Sequence, residues 1–189
     1  NFGSLNVVIQ SETIAINSDA SITSTGDLTL TASHDQTNDQ SVTSETTDTA
    51  THSVLINIDG NITADNFTAT ATVTDDSDVT IDGVAYTRDI DNSANIDSAS
   101  GVTVTASGDV SLASSVTGQI TVDTASGSGT GSFSNTGTDT AITHAHAGSV
   151  FDVEGDLSLT ASNALDVTIS DTATSTDDLS KARLDGAQT

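Results

Sequence analysis

His144 and His146, in the phrase THAHAG, stand two residues apart. On a β-strand that spacing puts both imidazoles on one face, where they would offer two nitrogen ligands to Zn²⁺ or Ni²⁺. The chain has no cysteine and only four histidines, and no third histidine is close in sequence, so the plain expectation is two solvated side chains. His34 and His52 bracket a polar segment and would meet only if its ends close. Asp89, Asp91 and Asn92, with Asn95 and Asp97 beyond, carry the oxygen ligands that Ca²⁺ takes. Their spacing starts as an EF-hand loop does, but the glycine at position 6 and the glutamate at position 12 are missing. A second acidic group, Asp75-Asp76-Ser77-Asp78 with Asp82, reads as a solvated turn. Asp89, Asp91, Asn92 and Asp97 are therefore the predicted calcium ligands, and no other cofactor is expected.

Catalysis finds little to stand on. A glycoside hydrolase needs two carboxylates about 5 to 9.5 Å apart, and 27 acids will satisfy that by chance. A lyase acting on acidic sugars wants a cation, and Arg88 is the one within the repeats described below. With a single tyrosine, Tyr86, and no tryptophan, platforms for stacking sugars are scarce. The expectation is a protein that is not an enzyme.

Those 27 acids face three bases, Arg88, Lys181 and Arg183, for a formal charge of −24. Nucleic acid and anionic membranes would be repelled, because phosphate binding needs a basic patch. No apolar run approaches the roughly 18 residues of a membrane-spanning helix, and no export leader can be read.

The elements that must position these residues are short strands. Valine, isoleucine and threonine are abundant, proline is absent, and apolar residues alternate in short bursts. STGDLTLTAS at 24–33 returns as ASGDVSLASS at 106–115 and VEGDLSLTAS at 153–162. Counting by twos from Gly26, Gly108 and Gly155 meets Leu28 and Leu30, Val110 and Leu112, Leu157 and Leu159, so one parity is apolar and faces inward. Gly60 and Gly83 show the same parity, and Gly131 falls where a further anchor would sit. The spacing predicts a repeat of about 24 residues with about three strands in each, and units of that size stack because none can bury its apolar face alone.

Residues 1–170 then read as a right-handed parallel β-helix of about seven coils, in which side chains at equal offsets stack from coil to coil. An antiparallel β-sandwich is the alternative. The polar stretch 34–53 reads as a loop inserted into the stack. Residues 171–189 read as a cap or linker, with a short helix over 175–186 suggested by Ser175 or Thr176 as N-cap, Asp177 and Asp178 in the first turn, and Gly186 as the stop. The Thr-x-Thr phrases at 29/31, 68/70/72/74 and 103/105 would suit an ice-binding face, but they hold no constant offset from the glycines.

The phrase G-D-[LV]-[TS]-L-[TA]-A-S, interleaved with ATHSVLINIDGNITA and NSANIDSASGVTVTASGDVSL, resembles the repeat regions of very large bacterial exported proteins of the filamentous-haemagglutinin type. The resemblance covers 20–33 and 54–170. It implies a long right-handed β-helix that projects from the cell and serves adhesion, biofilm or fibre formation. The expected function is thus a structural segment, a stalk, spine or fibre subunit, of a secreted or surface-attached adhesin. Its expected partners are like segments, flanking repeats of a larger chain, and a host-surface or polysaccharide receptor. A carbohydrate-binding or carbohydrate-cleaving domain is the alternative.

Overall fold

Alternation governs the local structure. In a computed structural model that describes residues 7–125, 131–169 and 183–185, the described residues form strands and turns without a helix. A first group comprises β1 (Val7–Ser11), β2 (Thr13–Ile16) and β3 (Ser21–Thr23), and a second β4 (Leu28–Thr37), β5 (Gln40–Val42), β6 (Thr46–Ile58) and β7 (Asn61–Ala64). The third is β8 (Phe67–Ile81), β9 (Ala85–Ser98) and β10 (Thr103–Ala106). The fourth is β11 (Val110–Thr124), β12 (Ser132–Asn135), β13 (Asp139–Ala145) and β14 (Val150–Val153), followed by β15 (Leu157–Ile169) and β16 (Arg183–Asp185). Burial in β8 switches at every residue, so Phe67, Ala69, Ala71 and Val73 form a buried row while Thr68, Thr70, Thr72 and Thr74 form a half-buried one.

The strands form three sheets, and every pairing is parallel. The first runs β1-β4-β8-β11-β15 with β5 beside β8, the second β14-β10-β7-β3, and the third β16-β13-β9-β6-β2 with β12 beside β9. Parallel pairing overturns the antiparallel sandwich. Successive principal strands fall in the first, third and second sheets in turn, and parallel strands require crossover connections of a dozen or more residues.

Register places the apolar parity side by side. Leu28 lies opposite Phe67, Phe67 opposite Val110 and Val110 opposite Leu157; Leu30, Ala69, Leu112 and Leu159 form the next row. Equivalent residues of the first sheet are separated by 21, then 39, 43 and 47 positions. The first step is close to the predicted 24 residues and the later three are nearly twice it, and the first sheet is made of five principal strands. Gly26, Gly108 and Gly155 share one corner with Asp65, as the backbone bonds Asp65 N–H to Gly26 O, Gly108 N–H to Asp65 O and Gly155 N–H to Gly108 O show. Gly60 lies instead against Asn17 and Ala20 at the corner between the third and second sheets, and Gly83 and Gly131 lie between the first and third.

This corner explains the Gly-Asp phrase. Asn66 Oδ1 accepts the Asp109 N–H (2.8 Å), Asp109 Oδ1 accepts the Asp156 N–H (2.9 Å), and the Asn66 amide donates to Asp27 Oδ1 (2.7 Å). Asn66 and Asp109 thus each satisfy a backbone donor on the next rung, while Asp27 takes a side-chain donor. A Cβ at Gly108 would stand 2.2 Å from Asn66 Oδ1, and one at Gly155 2.3 Å from Asp109 Oδ1. At Gly108 and Gly155 a side chain is excluded because the asparagine or aspartate of the preceding rung occupies the space.

The interior has two apolar clusters. The larger includes Ile14, Leu28, Ile56, Phe67, Ile96, Val104 and Leu112; the smaller comprises Val42, Val79, Ile81, Tyr86, Ile120, Val122 and Phe133. Each buried Leu or Ile contributes about 1.5–3 kcal/mol of transfer free energy. Between the clusters the inward positions turn polar, with Asp75, Ser77, Arg88, Asn92, Asn135 and Asp139 all buried.

Two expectations change. The 34–53 stretch is not an inserted loop but most of β4's end, β5 and β6, paired with β8 and β9. It needs no large aliphatics because its inward side chains rest on the polar partition, and because β1 ends at Ser11 with β2 beginning at Thr13, leaving it without a covering rung among the described residues. The expected helix over 175–186 falls mostly outside the described residues. Within it, Arg183–Asp185 is strand β16, paired with Ile142–His144.

Candidate functional site

Strand parity decides which polar residues meet. In β9, Tyr86, Arg88, Ile90, Asn92, Ala94 and Ile96 face inward, while Asp89, Asp91 and Asp97 face outward. Asn92 therefore cannot share a cation with Asp89, Asp91 and Asp97. Asp91 and Asp97 are also six residues apart on one strand, about 20 Å. The predicted calcium set does not assemble. Asp91 instead accepts hydrogen bonds from the Thr138 N–H (2.7 Å) and hydroxyl (2.6 Å), which hold its carboxyl below the usual range, and Asp89 accepts from the Thr136 hydroxyl (3.1 Å).

The buried partition is a connected network. Asp75 Oδ2 accepts from the Arg88 guanidinium and from the Asn92 amide (2.9 Å), and Asp75 Oδ1 accepts from the Ser77 hydroxyl (3.2 Å). Arg88 also donates to Asn135 Oδ1 (3.2 Å), and Asn92 to Asp139 Oδ1 (2.8 Å). Asp139 Oδ2 and Arg88 Nε are buried without a hydrogen-bond partner among the described residues. Burial pushes the Asp139 carboxyl up to about 6; Asn92 and Arg88 oppose the shift, and the negative charges of Asp75 and Asp91 add to it.

A pH signature follows. The folded chain retains a proton on Asp139 between about pH 4 and 6, where the unfolded chain has lost it, so stability falls as pH rises through that window. Asp139→Asn should remove this term. Urea unfolding at pH 4 and pH 7 should show the variant gaining on the parent by on the order of 2 kcal/mol at the higher pH. An equal difference at both pH values would show that Asp139 titrates normally.

The uncovered end of the stack lies above this network. His34, Gln36, Asp48, Ala50 and His52 face inward but remain part-exposed. The amides of Asn38 and Gln40 donate to Asp48 Oδ2 (2.5 and 2.7 Å), as does the Tyr86 hydroxyl (3.3 Å). Burial, then the Asp48 charge, pushes Tyr86 up to about 12. A recess of about 300 Å³ opens here, lined by Gln36, Asn38, Asp48, His52 and Ile90 among others. The rings of His34 and His52 stack with centroids 4.6 Å apart, and His34 Nδ1 lies 2.9 Å from Glu12 Oε1. Burial, then the neighbouring His34, lowers His52.

His144 and His146 both face outward near the end of β13, with ring centroids 4.1 Å apart. Register puts Asp97 of β9 directly beside His144, a meeting that local sequence could not supply because the two lie on different passes.

The outer face of the first sheet is a plane of small side chains: Thr29, Thr68, Ser111 and Ser158 in one row, Thr31, Thr70, Ala113 and Thr160 in the next, then Ser33, Thr72, Ser115 and Ser162. The threonine phrases on this sheet thus hold a constant register; Thr103 and Thr105 belong to the second sheet. No known protein family, curated protein or solved structure matches the chain.

Proposed function

We propose that the chain is a segment of a right-handed parallel β-helix that serves as the structural spine of a secreted or surface-attached adhesin or extracellular filament, extended by stacking further rungs on its ends. The observation that carries this reading is the open edge. Ser33–Thr37, Gln40–Val42 and Thr46–Val54 pair on one side only among the described residues, and β15 is the last strand of the first sheet. Unpaired edges of this length template further strands, and a polar inward row at the edge suits another rung with a polar interior. The acidic exterior keeps such a rod dispersed, and an Asx hydrogen bond links each neighbouring pair of rungs from Asp27 to Asp156.

Such a spine acts without catalysis, by geometry and display. Sedimentation velocity and negative-stain microscopy of the purified segment over a wide concentration range test it, with end-to-end rods as the expected outcome. A monomer at every concentration, with both terminal rungs exchanging their amide hydrogens freely, would defeat stacking. Release of saccharide from a polysaccharide panel would replace this reading with the carbohydrate-active one.

A further inference from the structure

We infer that Asp97, His144 and His146 form a binding site for a divalent transition-metal ion, of which Zn²⁺ is the best fit, on the outer face of the third sheet. The site is independent of how the ends stack. One atom, Asp97 Oδ1, lies 3.1 Å from His144 Nδ1 and 3.4 Å from His146 Nε2. Ligands bound tetrahedrally at about 2.0–2.1 Å are separated by about 3.3 Å, so two edges of the coordination polyhedron already have the right length. All three ligand atoms lie within 4.8 Å of one another. The remaining closure falls to His146, which follows the last residue of β13 and has a side chain 48% exposed, so its ring can turn without disturbing the core.

A second observation points to a ligand. Asp97 Oδ1 is shielded from solvent and accepts no hydrogen bond, although two imidazole nitrogens stand beside it. A shielded carboxylate oxygen without a donor is costly unless something positive meets it. The two imidazoles turn one nitrogen each toward the same oxygen, and a cation between the three atoms would use all of them as ligands. The chemistry selects the ion: two nitrogen donors and one oxygen suit Zn²⁺, Ni²⁺ or Cu²⁺, whereas Ca²⁺ takes six to eight oxygens. The ion would tie β9 to β13, adjacent rungs of one sheet.

The full chain, freed of metal with chelating resin, is titrated with ZnCl₂ against a chromophoric zinc indicator, with histidine ring resonances followed by NMR. One saturable site is expected, shifting the His144 and His146 signals. His144→Gln/His146→Gln should weaken it at least about 10- to 100-fold, the loss caused even by disturbing an outer partner of a metal ligand. Asp97→Asn should weaken it too, and His34→Gln/His52→Gln should leave it unchanged. Far-ultraviolet circular dichroism confirms that each variant keeps its strands, which is expected because the side chains lie on the surface. Absence of saturable binding, or binding that survives the His144/His146 change, would overturn the site.

Discussion

Arg88→Met should lower the unfolding free energy by about 3–5 kcal/mol, the loss typical of removing one partner from a buried ion pair. The Arg88 and Asp75 side chains are 1% and 0% exposed. Without the guanidinium, the Asp75 carboxylate keeps only the Asn92 amide and the Ser77 hydroxyl, and Asn135 Oδ1 loses the donor it shares with Arg88. Against a total stability of about 5–15 kcal/mol for ordinary domains, the variant should melt far below the parent. Lysine would not rescue it, since one ammonium cannot span the Asp75 and Asn135 directions as a planar fork does. The double change Asp75→Leu/Arg88→Met should recover most of the loss, because it removes both desolvated charges together. Urea titrations at pH 7 decide the matter; a single-variant loss below about 1 kcal/mol would mean the pair behaves as a solvated surface bridge.

Much of this was readable in the sequence, and the rest fails for identifiable reasons. Leu28, Val110 and Leu157 share a row as their common offset from glycine implies, yet the rung between them begins with Asp65-Asn66-Phe67 and carries no glycine, so it hid. Gly60 and Gly83 were mistaken for its equivalents because any turn joining two inward-facing strands shows apolar residues at even offsets on both sides. That ambiguity halved the apparent repeat. The buried network had a clear signal that charge obscured: Tyr86-x-Arg88-x-Ile90-x-Asn92-x-Ala94-x-Ile96 is one inward face, and Val73-x-Asp75-x-Ser77-x-Val79 is another. Reading by residue type, instead of by parity, places Asp75 in a solvated turn and Asn92 in a calcium set. The Asp97–His144 contact depends on a 47-residue register step, and no local pattern encodes that.

Gly118→Ala should destabilise the fold by roughly 3 kcal/mol or more. Two effects add: overpacking at about 1–3 kcal/mol and a strained backbone at about 1–3 kcal/mol. Gly118 has φ +138°, where L side chains are rare, and a Cβ there would stand 2.1 Å from the Asp75 carbonyl oxygen and 2.6 Å from its carbonyl carbon. The obstacle is backbone, so no side-chain rotation relieves it; β8 and β11 must part. They would part at the residue whose carboxylate anchors the polar partition, where the Gln119 N–H is already satisfied by Asp76 Oδ1 (2.9 Å) instead of by the regular ladder. The methyl and the lost guanidinium then act on the same strand segment, Asp75. A double-mutant cycle between Gly118→Ala and Arg88→Met should show a coupling above about 0.5 kcal/mol, whereas distant sites add. Strict additivity would separate the glycine from the network, and a Gly118→Ala protein as stable as the parent would show that the two strands can slide apart at no cost.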